Sequence, residues 1–194
     1  MANLITLEEY KAFKKISNPS EDERLDYLIA SVSQLVKTYC GNSIIDYYST
    51  NKEETFSISW ETNFIQLTES PLIRISSIEE MVTPGKYTDL NDDEYFIDYN
   101  LDAIFRVHAD SGAYKDWKRG AGSVRVSYTA GYESCPEDLK LAVVDLITYY
   151  HKEEHKERRT LAGATVQNPA STSVRDSVAF PDHIKRILDL YKNF

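Results

Sequence analysis

His151-Lys152-Glu153-Glu154-His155 is the one segment whose residue types and spacing match a catalytic pattern. In H-x-x-E-H, two histidines four residues apart share a helix face and bind zinc while the glutamate handles the attacking water. Such a site needs a third ligand, and no motif elsewhere marks one, so the segment reads as a solvated helix end with ordinary i, i+4 pairs. Asp89-Leu90-Asn91-Asp92-Asp93-Glu94 clusters the hard oxygen donors that calcium prefers. Glu94, however, stands where a calcium loop needs glycine for its sharp turn, and Asn100 stands where it needs a bidentate carboxylate, so an acidic hairpin turn is expected. Cys40 and Cys135 fit no metal spacing and are expected to be free thiols. With no Gly-rich phosphate loop and no G-x-S-x-G elbow, the sequence points away from an enzyme and toward a chain without a cofactor.

The composition narrows the class further. The chain has 194 residues, 42% hydrophobic and 27% charged, with only 7 Gly and 6 Pro, which describes a globular domain, or a domain with an inserted lobe. The formal charge of −9, from 22 Lys and Arg against 31 Asp and Glu, argues against a surface that grips nucleic acid by displacing phosphate counterions, and suits a protein that DNA slides past. Fourteen tyrosines, each with an apolar body and a polar tip, favour half-buried surfaces such as subunit contacts. The opening Met1-Ala2-Asn3-Leu4-Ile5 lacks the features of a secretion signal, and no stretch approaches the ~18 apolar residues of a membrane span, so a soluble chain made in a cytoplasm is expected.

The elements follow from the patterning. Thr6-Leu7-Glu8-Glu9 is a capping box that predicts a first helix running to about Lys14. Ser20-Glu21-Asp22-Glu23 repeats the signal before a stripe of Leu25, Leu28, Ile29, Val32, Leu35, Val36 and Tyr39 that ends at Gly41. From about Tyr47 to Tyr132 the period becomes two, in the runs Phe56–Trp60, Phe64–Leu67, Ile73–Ile75, Tyr95–Ile97, Ile104–Val107 and Val124–Tyr128, separated by turns such as Pro84-Gly85 and Ser111-Gly112. Pro136 opens a long helix with one stripe of Leu139, Ala142, Val143, Leu146, Tyr149 and Tyr150, and a second apolar surface of Leu141, Val144 and Ile147. A helix apolar nearly all round must be covered on more than one side, and a neighbouring subunit could supply the second cover. Leu141, Val144, Ile147, Tyr149 and Tyr150 are therefore the expected subunit interface. Residues 158–180 are rich in Ser, Thr, Ala and Gly and are expected to form a mobile arm, followed from Pro181 by a short helix carrying Ile184, Ile187, Leu188 and Tyr191 on one face. The expected fold is α+β: a helical bundle from residues 1–46 and 133–194, an inserted antiparallel β lobe at 47–132, the arm and the C-terminal helix.

Several segments, in order, resemble one family. Leu4-Ile5-Thr6-Leu7-Glu8-Glu9-Tyr10-Lys11, the helix end Tyr39-Cys40-Gly41-Asn42, the strand beginning Ser70-Pro71-Leu72-Ile73-Arg74-Ile75-Ser76-Ser77-Ile78, the run Val124 to Tyr132 followed by Pro136-Glu137-Asp138-Leu139-Lys140, and the closing Phe180 to Tyr191 are similar to the head-tail connector (adaptor, or head-completion) proteins of tailed bacteriophages. The resemblance implies a virion structural protein assembled in the host cytoplasm. It implies a homo-oligomeric ring, dodecameric as in the family, docked under the portal of a DNA-filled head. Such a ring closes the head and offers a platform to the tail, with the next neck or tail-completion protein as a further partner and DNA passing the lumen without specific binding. It also implies a C-terminal region against the portal, with Ile184, Ile187, Leu188 and Tyr191 docking as an amphipathic helix. Independently of the resemblance, Lys152, Lys156, Arg158 and Arg159 form a basic cluster among Glu153, Glu154 and Glu157, which reads as a solvated helix end or as an electrostatic contact to a portal surface or passing DNA, with Arg158 and Arg159 the expected portal contacts. Truncation after Glu157 is accordingly expected to leave the fold and cost only head attachment. The β lobe from Asn51 to Gly120 is longer than the minimal hairpin of smaller members.

Overall fold

The computed structural model describes residues 2–152 and 180–192. Glu154, His155, Arg158, Arg159 and nearly all of the expected arm lie outside them. The described residues fall into two compact units, a helical one drawn from Met1–Asn42 and Ser134–Lys192 and a β unit from Ser43–Glu133. The first boundary thus precedes Ser43 rather than following Asp46. Ile44 belongs to the β unit because its carbonyl accepts from the Tyr132 N–H at 2.7 Å.

In the helical unit, helix α1 spans Leu7–Lys14 and begins with a reciprocal cap. The Glu9 N–H donates to Thr6 Oγ1 at 3.2 Å, and the Thr6 N–H donates to Glu9 Oε2 at 2.8 Å. Helix α2, Asp22–Cys40, has no side-chain cap. Ser20 does not cap it as the sequence predicts; the preceding turn is bound instead through the Ser20 N–H to Asn18 Oδ1 at 3.0 Å. Leu25, Ile29, Val32 and Val36 form its buried stripe, and Gly41 ends it in the left-handed region.

Helix α3, Glu137–His151, is indeed apolar on two sides, and this chain covers both except at Leu141. Helix α2 and helix α4, Asp182–Leu188, pack on one side. Helix α1 and its leader lie along the other, where Tyr10 Oη meets Thr148 Oγ1 at 3.3 Å and Lys140 Nζ donates to Glu9 at 3.0 Å. Leu4, Ile5 and Tyr10 are buried, as are Val144 and Ile147, and Ile5 and Val144 line one groove. The expected subunit interface is corrected on this point. Val144 and Ile147 are buried within this chain, and at Val144 the leader residue Ile5 and Phe13 of α1 stand where a neighbour was expected.

The C-terminal helix is corrected likewise. Ile184 and Leu188 are buried within the helical unit. Phe180 is buried edge-on to Tyr39, with centroids 5.0 Å apart. Tyr39 Oη donates to Asp189 at 2.6 Å, and Tyr191 Oη donates to Asp138 at 2.6 Å. The face expected to dock on a portal is in use inside the unit.

The β unit holds two antiparallel sheets. The four-stranded sheet runs in the order β1 (Lys52–Ile58), β7 (Gly120–Ala130), β3 (Leu72–Thr83), β4 (Lys86–Asp89). The three-stranded sheet runs β2 (Phe64–Gln66), β6 (Ala103–Arg106), β5 (Tyr95–Asp98). Ile58, Ile65, Leu67, Ile78, Ile104, Trp117, Val124, Val126 and Tyr128 make their shared core. Gly131 has φ +98°, and its N–H donates to the Pro71 carbonyl at 2.8 Å. A methyl group there overlaps the Ile44 carbonyl oxygen, which accounts for glycine in the Thr-Ala-Gly-Tyr run.

Cys40 and Cys135 are free, buried thiols, and burial pushes each up to about 12. The thiolate is the reactive form. At pH 8 iodoacetamide is therefore expected to leave both unmodified in the folded protein and to alkylate both in urea, as read by intact mass.

Candidate functional site

Among the described residues, the groups singled out for chemistry make structural contacts. His151 Nε2 lies 3.1 Å from Glu21 Oε2 at the end of α3. Asp92–Glu94 is a 3-10 turn, and Glu94 Oε2 accepts from the Asn91 backbone N–H and side-chain amide at 3.1 Å each. Glu94 Oε1 accepts from Arg106 at 3.1 Å. The acidic run is thus a turn whose last carboxylate is already committed. Among the described residues no group of three or more His, Cys, Asp or Glu is placed to hold a metal. A groove of about 80 Å³ between α1 and α3, lined by Ile5, Phe13, Leu141 and Val144 among others, is well below the ~300–1,000 Å³ of a small-molecule site.

Four carboxyls are held below their ordinary range, those of Glu9, Glu54, Glu94 and Asp138; at Glu54 burial pushes upward but hydrogen bonds from Lys52 and Thr68 outweigh it. For Glu94 the first cause is the Asn91 backbone N–H, then Arg106; for Glu9, the Thr6 backbone N–H, then Lys140; for Asp138, the Tyr191 hydroxyl. Their stabilisation is complete above the unfolded-chain carboxylate values near ~4 and is lost as pH falls through the lower folded values. The urea midpoint is expected to stay level from pH 7 to about 5 and to drop below about pH 4. A midpoint that rose on acidification would contradict these assignments.

What the structure offers outward is surface. In the three-stranded sheet Phe64, Phe105 and Phe96 share one cross-strand row, with Phe105 in register with both partners. Their ring centroids lie 6.0 and 6.3 Å apart, and Tyr114 adds a fourth ring 5.7 Å from Phe105. Phe64, Phe96 and Tyr114 are 49%, 58% and 66% exposed. The sequence reading missed this patch, although parity contains it. Ile65, Ile104 and Ile97 face the core, so the adjacent phenylalanines must face away.

Charge is also unevenly divided. Residues 43–133 carry 16 Asp and Glu against 8 Lys and Arg, a net of −8. The described residues of the helical unit carry 11 against 10, a net of −1. Of the residues expected at interfaces, Leu141 is exposed, at 45%, while Tyr149, Tyr150, Ile187 and Tyr191 are half-buried. Tyr149 and Tyr150 meet edge to face at 5.6 Å. Among the described residues no helix is long and apolar enough to cross a membrane.

The comparisons with known proteins agree with one another. A head completion protein of Escherichia phage T5 is 22% identical over 197 residues, spanning 97% of this chain and 98% of that one. A chain from the neck of an empty gene transfer agent particle, computed with C6 symmetry, matches with a TM-score of 0.64 at 14% identity over 98% of this chain and 90% of that chain. One from the neck of the native particle, computed with C12 symmetry, matches with a TM-score of 0.56 at 16% identity over 100% and 96%. These two likenesses show a shared fold. The profile of the head completion protein family matches residues 3–194, and this chain belongs to that family.

Proposed function

We propose that this chain is a structural protein of a virion neck, a head-tail adaptor that closes the DNA-filled head as a ring beneath the portal and receives the tail. The observation that carries the reading is the extent of the family match, which runs from residue 3 to 194 and so takes in the capped first helix, the enlarged β unit and the C-terminal helix together. The helical unit is read as the connector core. A neck ring built from a chain with a net charge of −9 presents few grouped cations to passing DNA. Duplex DNA is expected to bind the purified protein more weakly than micromolar at physiological salt in a fluorescence titration. The function is tested by producing particles without this chain. DNA-filled heads that leak and lack tails are the expected result, restored by supplying the protein. Tailed, stable particles in its absence would overturn the reading.

A further inference from the structure

We infer that the outward aromatic face of the three-stranded sheet is the surface by which one copy of this chain binds the next, seated on the α1/α3 face of the neighbour's helical unit. The inference rests on the ring reading above and names the contact that closes the ring. The outward face of a half-buried antiparallel sheet is ordinarily polar. Here all three strands place a phenylalanine outward at one register, and Tyr114 extends the row. Folding does not require this, because the opposite face already fills the core with Ile65, Ile104 and Ile97. Three rings at about half exposure, with the partly buried Phe105 between them, form an apolar patch on the order of 300–400 Å², the size of the largest, often functional, patch on a monomer.

Charge selects the occupant. Two β units at −8 each repel across a face-to-face contact, whereas the helical unit at −1 does not. That unit offers a second, different apolar patch, where Phe13 at 56% exposure and Leu141 at 45% flank the groove between α1 and α3, whose charged lining is Lys140 with its ion-pair partners Glu9 and Glu137. The groove has room for the end of one aromatic side chain. Two unlike patches on one chain form a head-to-tail contact, the kind that closes into a ring. The structural neighbours come from necks computed with C6 and C12 symmetry.

The test uses the full chain. A photo-reactive phenylalanine analogue is placed at position 96 in a mixture of isotopically light and heavy copies, and assembly is followed by native mass spectrometry over a wide concentration range. The expected products are cross-copy links from position 96 to residues 9–15 or 137–144. Phe96→Glu and Tyr114→Glu, at positions more than half exposed, are expected to raise the concentration needed for assembly at least tenfold with unchanged melting temperature. Tyr27→Glu, at a more exposed position on α2, is expected to leave it unchanged. If the wild type forms rings and the two patch variants form them equally well, the inference fails while the ring reading stands. Links into another copy's β unit, or only to a different virion protein, also overturn it. If the wild type forms no ring in solution or in particles, both readings fail.

Discussion

Deleting residues 180–194 is expected to unfold the helical unit rather than merely detach a docking element. Phe180, Ile184 and Leu188 are 4%, 1% and 0% exposed, and together they cover parts of α2 and α3. Truncating a single buried Leu or Ile to Ala costs ~2–5 kcal/mol. Losing three such side chains, with the Tyr39–Asp189 and Tyr191–Asp138 hydrogen bonds, therefore costs on the order of 6 kcal/mol or more. That matches the whole stability of an ordinary domain, ~5–15 kcal/mol. The deletion is expected to yield insoluble or largely unfolded protein by circular dichroism, and Leu188→Ala alone to lower stability by about 3 kcal/mol in urea. A soluble deletion variant with native helix content and a cooperative transition would restore the expectation drawn from sequence, that the fold survives truncation after Glu157. The reversal matters for function. A defect in head attachment after C-terminal truncation would report lost folding, so the docking role of this segment has to be tested at exposed positions such as Leu190, 76% exposed, instead of at Ile184 or Leu188.

Where local chemistry decides an element, the sequence was legible. Thr6 and Glu9 cap α1 because the two residue types satisfy each other's backbone donors, and Gly41 ends α2 because the left-handed conformation favours glycine. The β unit was harder to delimit. Strand β3 runs for 12 residues, but register shifts between Leu72 and Arg74 and between Ile75 and Ser77 break its alternation, so only Ile73–Ile75 showed the period. Strand β4, Lys-Tyr-Thr-Asp, has one large apolar side chain and no period to read; pairing with β3 makes it a strand. The interface residues were the least legible. Periodicity shows that α3 has two apolar sides, but it cannot say whose side chains cover the second. Ile5 of the same chain does so at Val144, Tyr10 reaches Thr148, and Leu141 is left exposed at the edge. The resemblance to head-completion proteins identified the family because it rested on the order of several segments and not on any one surface.

Replacing Arg106 with Ala is expected to cost about 3–4 kcal/mol, the largest effect of any single substitution in the β unit considered for its polar contacts. Its side chain is 2% exposed, extends from β6 of one sheet and reaches Glu80 on β3 of the other. The Nε donates to Glu80 Oε1 at 3.2 Å, Nη2 donates to Glu94 Oε1 at 3.1 Å, and Nη1 donates to the Glu94 carbonyl at 2.6 Å and the Val107 carbonyl at 3.2 Å. The guanidinium also lies 5.9 Å from the Trp117 ring. A buried charge with this many partners ties two sheets, a turn and the core at one point. Removing it leaves two carboxylates close together with no cation between them, plus a cavity beside Trp117. Glu80 and Glu94 are 19% and 24% exposed, so water partly rehydrates them, which keeps the cost below the upper end for breaking a fully buried pair. Lysine cannot replace the fork, since one ammonium does not reach both carboxylates and two carbonyls at these geometries, so Arg106→Lys is expected to recover less than half of the loss. A double-mutant cycle decides whether the pair or the cavity dominates. If the ion pair matters, Glu80→Gln costs about 1–2 kcal/mol in the wild type and close to nothing, or even stabilises, in the Arg106→Ala background. Equal costs in both backgrounds would show that Arg106 acts through packing on Trp117 alone.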